Sequence, residues 1–208
     1  MAAGRAEIAV LAYEGVDELD FFAAYVPLAK ARSCGGGLGV RIVAVAVETL
    51  AACGTRLRRD ADLGALSVAD AAVIPGGRGA EAAAADPRHT SALASFHQRG
   101  GALYAVCSGS LLLAAAGLLE GRRAAIHAAK RARLSALADC TIADTLVRDG
   151  RICSIGGSPG RRVKGVDIAF QVLRDWAPGT VRAVASRLET EPGPLAEEHR
   201  AGPPGQRP

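Results

Sequence analysis

Aromatic side chains make up only 4% of this 208-residue chain, so the stacking platforms that hold single-stranded nucleic acid are missing. The net charge is only +4 and the arginines are scattered, which leaves no basic stripe to track a polyanion. No apolar run approaches the roughly 20 residues that cross a bilayer, and the N-terminus enters the run Ile8–Tyr13 without the long apolar region of a signal peptide. A cytoplasmic protein with neither nucleic-acid nor membrane partners is expected. The five cysteines, Cys34, Cys53, Cys107, Cys140 and Cys153, are odd in number and contain no C-x-x-C pair or Cys/His cluster. That spacing argues against a disulfide framework and against a structural metal, and no phosphate-binding motif calls for an organic cofactor.

Half of the residues are hydrophobic, enough for one α/β domain that buries about 70% of the surface its unfolded chain exposes. That domain is expected over residues 1–190. The Pro- and Gly-rich stretch 191–208, ending in Ala201-Gly202-Pro203-Pro204, has too little apolar content to pack and is expected to be disordered. Ile8–Tyr13, Val40–Val47, Ala71–Pro75 and Ala102–Val106 read as strands buried on both faces. Asp17 caps a helix carrying Phe21, Phe22, Tyr25 and Leu28, which Pro27 is expected to kink or shorten. Asp86-Pro87 opens another helix, with Leu93 and Phe96 inward and His89 and His97 on the surface. Further along, Ala124–Ile126 reads as a strand ending at His127, followed by a helix over 128–137. Asp149-Gly150 joins Thr141–Arg148 to Arg151–Ile155 as a hairpin, and helices follow over 165–177 and 180–188. Arg56–Leu63 reads as a solvated segment. Alternating strands and helices imply a flavodoxin-like three-layer sandwich with a mostly parallel central sheet.

The strand Ala102–Val106 breaks at Cys107, and Leu111, Leu112, Ala115 and Leu118 then recur at helical spacing. Cys107 therefore falls on a sharp strand-to-helix turn, where a following helix favours negative charge and a thiol is expected to ionise more readily than usual. Spacing alone leaves two readings open, a nucleophile at an elbow or a small buried hydrophobe. Ligands of such sheets bind beyond the carboxyl ends of the strands. The segments leaving those ends are Tyr13–Asp20, Gly76-Gly77 and Cys107-Ser108.

Val106-Cys107-Ser108-Gly109-Ser110-Leu111-Leu112-Leu113, running on to Glu120-Gly121, resembles the nucleophile segment of isocyanide hydratases, members of the ThiJ/PfpI superfamily. The resemblance extends to Ile8–Asp20, Val73-Ile74-Pro75-Gly76-Gly77, Val147–Gly150, Gly156-Gly157 and Gly165-Val166-Asp167. It implies a Cys107 nucleophile, an Asp20 acid, and backbone donors at Gly76, Gly77 and Ser108, with His127 in a second tier. It also implies a homodimer acting on a small molecule without metal or cofactor: the Cys107 thiolate adds to an isocyanide, and the thioimidate hydrolyses to an N-substituted formamide.

Two departures bear on the substrate. Phe22-Ala23-Ala24 stands where the hydratases resemble one another with Thr-Gly-Pro, which is expected to narrow the pocket and make it more apolar. Ser158–Lys164 is a basic insertion that either covers the site or merely stays soluble. Ser108 replaces the histidine of the PfpI peptidases, which counts against proteolysis. No histidine or glutamate lies between Asp139 and Leu188 to complete a glutaminase triad. The rival readings are a redox or stress-sensing role without catalysis, and a glyoxalase- or deglycase-like action on small dicarbonyls.

Overall fold

The computed structural model describes residues 5–157 and 163–199. Its strands are β1 (Ala6–Leu11), β2 (Leu38–Val43), β3 (Glu48–Leu50), β4 (Arg56–Arg58), β5 (Ala71–Ile74), β6 (Ala102–Val106), β7 (Arg123–Ala125), β8 (Thr141–Ala143), β9 (Val147–Asp149), β10 (Ile152–Ile155) and β11 (Glu197–His199). Between them run α1 (Glu18–Ala31), α2 (Ala80–Ala85), α3 (Pro87–Gln98), α4 (Ser110–Ala115), α5 (Arg131–Ser135), α6 (Lys164–Trp176) and α7 (Val181–Arg187).

Seven strands make one sheet in the order β2-β1-β5-β6-β10-β9-β11. The pairs are parallel from β2 through β10, where Ile8 lies opposite Val40 and Ala71, and Ile155 opposite Val106. Numbered among themselves, those five strands follow the 2-1-3-4-5 order of flavodoxin-like sheets. The order reverses between β1 and β5, so the chain leaving these two strands diverges and opens a crevice. Because the parallel strands are covered on both faces, they read as continuous apolar runs, and β5 and β6 are buried at every position. Leu11, Phe21, Phe96, Leu103 and Phe170 fill the two layers around the sheet, each burial stabilising by about 1.5–3 kcal/mol.

Asp17 caps α1 by accepting from the Asp20 N–H at 2.9 Å, and Asp86 caps α3 with Pro87 in the first turn. Pro27 neither breaks nor shortens α1, which runs through it with Phe21, Ala24, Leu28 and Ala31 buried beneath. Packing on the core thus outweighs the lost backbone donor. β2 stops at Val43 rather than Val47, because the chain turns there into the β3–β4 hairpin, and Arg59 holds the turn through the Ala44 and Val45 carbonyls. Arg56–Arg58 of the segment read as solvated is the second strand of that hairpin. The helix expected over 128–137 is a 3₁₀ turn at Ala128–Lys130 leading into α5.

The Asp149-Gly150 hairpin is present, but its first strand is only Val147–Asp149. Thr141–Ala143 instead pairs with β7 in a separate two-stranded ribbon, after which the chain bends at Asp144. A second difference concerns the C-terminal stretch. Glu197–His199 adds a strand at the sheet edge parallel to β9, and the Pro192, Gly193 and Pro194 carbonyls accept from Arg174. Main-chain hydrogen bonds hold this segment, which an argument from apolar content does not register. Residues 200–208 lie outside the described residues.

Candidate active site

Cys107 has φ +59°, a left-handed conformation that an L side chain adopts only where the surrounding fold imposes it, at a cost of about 1–3 kcal/mol. Here β6 ends at Val106, and the chain turns through a 3₁₀ turn at Cys107–Gly109 into α4. This is the geometry of a nucleophile elbow, and it leaves the Cys107 side chain half-buried.

Asp20 comes from the first turn of α1 and is 3% exposed. Its Oδ2 has no hydrogen bond of ordinary geometry, although the Cys107 thiol and the Gly76 N–H lie close enough to act on it weakly. Burial pushes the Asp20 carboxyl above its ordinary range; Asp17 adds to that, while Lys164, the thiol and the Gly76 N–H oppose it. The net direction is upward, which suits a carboxyl that exchanges a proton with a neighbour.

Gly76 makes the approach of Cys107 and Asp20 possible. A Cβ there would stand 2.6 Å from the Cys107 Cβ, 2.7 Å from Asp20 Oδ2 and 2.9 Å from the Ser108 nitrogen, so only glycine fits. The Asp17 N–H donates to the Gly76 carbonyl at 2.8 Å and fixes this turn against the start of α1. Of the three donors expected at Gly76, Gly77 and Ser108, that of Gly77 is engaged within the protein, and the other two lie towards Asp20 and Cys107. The Gly77 N–H donates to Ser108 Oγ at 2.9 Å, the Ser108 N–H acts on the Cys107 sulfur, and the Gly76 N–H faces the Asp20 carboxyl. They shape the Cys107–Asp20 pair.

The expectation of a readily ionised thiol is corrected. Burial raises the Cys107 pKa, and the Asp20 charge raises it further; Lys164 and the Ser108 N–H pull it down without reversing the direction. The following helix has only six residues and starts at Ser110, so desolvation outweighs its dipole.

His127 presents its backbone N–H to the Cys107 carbonyl at 3.4 Å, while its ring is exposed and its Nδ1 accepts from the Ala129 N–H at 3.2 Å. The ring thus caps the turn that follows. His89, expected on the surface, is buried: its ring packs edge-on to Tyr13 at 6.3 Å and its Nδ1 stands 3.6 Å from the capping Asp86. It lines a separate cavity of about 250 Å³ walled also by Ala12, Tyr13, Thr49 and Ala83. His97 is half-buried, with Nδ1 3.2 Å from the Gly101 carbonyl.

Two residues were not singled out by the sequence reading. Tyr13 donates to the Pro75 carbonyl at 2.7 Å, and burial together with Asp20, Cys107 and Asp17 keeps its phenol protonated. Lys164, the last residue of the basic insertion, is the first residue of α6, with its Nζ 3.8 Å from Asp20 Oδ1 and in reach of the Cys107 sulfur. Residues 158–162 of that insertion lie outside the described residues. Ala23 and Ala24 lie under the start of α6, where a Cβ on Gly165 would meet the Ala23 Cβ at 2.8 Å and the Ala24 nitrogen at 3.0 Å. Phe22 is 37% exposed and packs edge-on to Phe21. Among the described residues no group of three or more His, Cys, Asp or Glu side chains is placed to hold a metal ion, and no helix is long and apolar enough to cross a membrane.

The chain is 33% identical over 128 residues to an isonitrile hydratase of Pseudomonas putida, an alignment covering 61% of this chain and 54% of that protein. It therefore spans about half the length of that relative. A ThiJ/PfpI family protein from Pseudomonas syringae superposes with a TM-score of 0.76 at 26% identity, covering 92% of this chain and 77% of the other. Drosophila melanogaster DJ-1beta has the same fold, with a TM-score of 0.77 at 22% identity over 89% of this chain and 98% of its own. The DJ-1/PfpI family model matches residues 6–160, and the chain belongs to the DJ-1/PfpI family.

Proposed function

We propose that this protein is a cysteine-dependent enzyme that adds water to a small electrophile, with isocyanides as its substrate class. The observation that carries the reading is the buried Asp20 Oδ2, left without a well-formed hydrogen bond beside the Cys107 thiol. A buried polar atom without a partner costs stability, and a proton-transfer site is where such a cost is tolerated. The raised pKa of Cys107 fits a resting pair in which the thiol keeps its proton and Asp20 accepts it as the sulfur attacks. The sulfur bonds to the terminal carbon of the isocyanide, and Asp20 returns the proton to that carbon, giving a thioimidate. Asp20 then takes a proton from water, hydroxide adds to the thioimidate carbon, and the nitrogen is protonated. Cleavage of the C–S bond releases the formamide, and the sulfur regains its proton.

A redox sensor needs chiefly a readily ionised, accessible thiol, which burial and Asp20 disfavour here. A homodimer is proposed as well. Leu19, Phe22 and Leu50 are 62%, 37% and 44% exposed, and Glu18 ties α1 to the loop after β3 by accepting from the Cys53 and Thr55 N–H groups. Apolar side chains exposed on neighbouring elements suit a second copy of the chain. Light scattering at micromolar concentration tests the pairing, and a monomer would refute it.

The reaction is tested by offering isocyanides, dicarbonyls and peptides side by side to the parent and to Cys107→Ala. Formamide from the parent alone is the expected result. Turnover of dicarbonyls with no formamide would overturn it.

A further inference from the structure

We infer that Lys164 belongs to the reacting group: standing beside both Cys107 and Asp20, its ammonium balances the single negative charge that the pair carries and sets the pH at which Cys107 becomes nucleophilic. The inference rests on Cys107 being the nucleophile, and is independent of which electrophile it attacks.

The placement of Lys164 runs against two ordinary preferences. Its side chain is only 21% exposed, whereas lysine normally keeps its head in water. It is also the first residue of a 13-residue helix, the end that favours acids over cations. The fold is nonetheless shaped around it. The Lys164 stem passes close over Gly157, where a Cβ would stand 2.4 Å from its Cδ. A Cβ on Gly165 would stand 2.8 Å from the Asp20 carbonyl oxygen, so a second glycine lets the start of α6 close down on α1. Together these contacts carry the ammonium to 3.8 Å from Asp20 Oδ1 and within reach of the Cys107 sulfur.

The charges around that ammonium are few. Among the described residues, Asp20 and Cys107 face it, with Asp17 at the cap of α1 further off. Tyr13, which also neighbours the pair, stays a neutral phenol, and the His127 ring is turned to Ala129. Two buried acids thus share one cation. With Lys164 present, one negative charge in the crevice is compensated, and the proton is free to sit on either sulfur or carboxylate. Without it, ionising Cys107 beside Asp20 has no counter-charge, so the thiol pKa rises and the thiolate fraction at neutral pH falls. A cation within 4–6 Å shifts such a group by about one to three pH units.

The test is the pH dependence of iodoacetamide alkylation at Cys107, followed by mass spectrometry, in the full chain and in Lys164→Met and Lys164→Arg. The methionine variant is expected to move the alkylation midpoint up by about one pH unit or more and to slow alkylation at pH 7 about tenfold, while the arginine variant stays near the parent. A merely structural lysine would change the melting temperature and leave the midpoint in place. An unmoved midpoint in Lys164→Met, or an equal upward shift in Lys164→Arg, overturns the inference. If Lys164→Met does not fold, Lys164→Gln, which is polar and uncharged, carries the same comparison. Alkylation needs no substrate, so failure of the isocyanide assay with a shifted midpoint would refute the proposed reaction and leave this role of Lys164 standing.

Discussion

Two polar clusters are centred three residues apart, one on β6 at Tyr104 and one on the turn that leaves it at Cys107, and they are built to opposite ends. Around Tyr104 the hydroxyl, carboxylate, indole and guanidinium groups pair with one another. The Tyr104 hydroxyl donates to Asp175 at 2.5 Å and accepts from the Trp176 indole at 3.1 Å, Gln171 donates to the second Asp175 oxygen at 3.3 Å, and Arg148 pairs with Asp175. Arg148 also stands 5.8 Å over the Tyr104 ring and 3.4 Å from Glu198 of β11. Cys153, in register with Tyr104 on β10, is fully buried, and burial pushes its thiol up to about 12. Around Cys107 the backbone is forced to φ +59°, Asp20 Oδ2 is left without a well-formed hydrogen bond, and a lysine is drawn into the interior. The first cluster ties α6 and the sheet edge together; the second leaves a buried carboxyl oxygen without a well-formed hydrogen bond. Buried polar groups alone do not mark a site. A buried carboxyl oxygen without a well-formed hydrogen bond, beside a cysteine in a left-handed conformation, is what sets the Cys107 cluster apart.

The comparison is broken most severely at the two cysteines. Cys107→Ala is expected to abolish formamide production, while Cys153→Ala leaves turnover unchanged; equal losses in the two, measured by product assay, would erase the distinction between the clusters.

Asp20→Asn comes next. It keeps the shape and removes the transferable proton, so turnover is expected to drop by about 10²–10⁴-fold while Cys107 still reacts with iodoacetamide. Parental turnover in that variant would place the acid elsewhere.

Tyr104→Phe tests the satisfied cluster. It leaves Asp175 and the Trp176 indole each short of a partner, at a cost of about 1–3 kcal/mol in urea unfolding, with kcat unchanged. A fall in kcat without loss of stability would show that this cluster also serves catalysis.

The smallest effect is in stability against pH. The Asp20 carboxyl is raised in the fold, so the native state holds that proton to higher pH than the unfolded chain, whose Asp titrates near 3.9. The parent therefore loses stability as pH rises from there through the folded-state pKa, and Asp20→Asn does not. Melting curves across that window are expected to show the variant gaining on the parent as pH rises; a constant difference would mean that the carboxyl is not raised.

Much of this was legible in the chain. The runs at Ile8, Ala71 and Ala102 are strands because a parallel sheet covered on both faces needs no alternation, and the break at Cys107 marks the elbow. Asp17 caps, and so leaves the Asp20 side chain to lie beside Gly76 and Cys107. What escaped depends on contacts between distant segments. Lys164 reads as part of a basic loop until Gly157 and Gly165 bring it against α1. His89 reads as a surface histidine until Tyr13 covers it. Glu197–His199 has no apolar pattern because its ladder is made by the main chain. The sequence points the Cys107 pKa downward because a turn predicts a dipole, whereas burial, which raises it, becomes visible only once the surrounding layers are in place.

The central claim, a covalent path through Cys107 with Asp20 moving the proton, is tested most directly by quenching the parent during turnover of an alkyl isocyanide and weighing its peptides. The Cys107 peptide is predicted to gain the mass of one isocyanide, with formamide accumulating in solution and neither signal in Cys107→Ala. Formamide produced by Cys107→Ala at the parental rate, or a parent that forms neither adduct nor product, would contradict it.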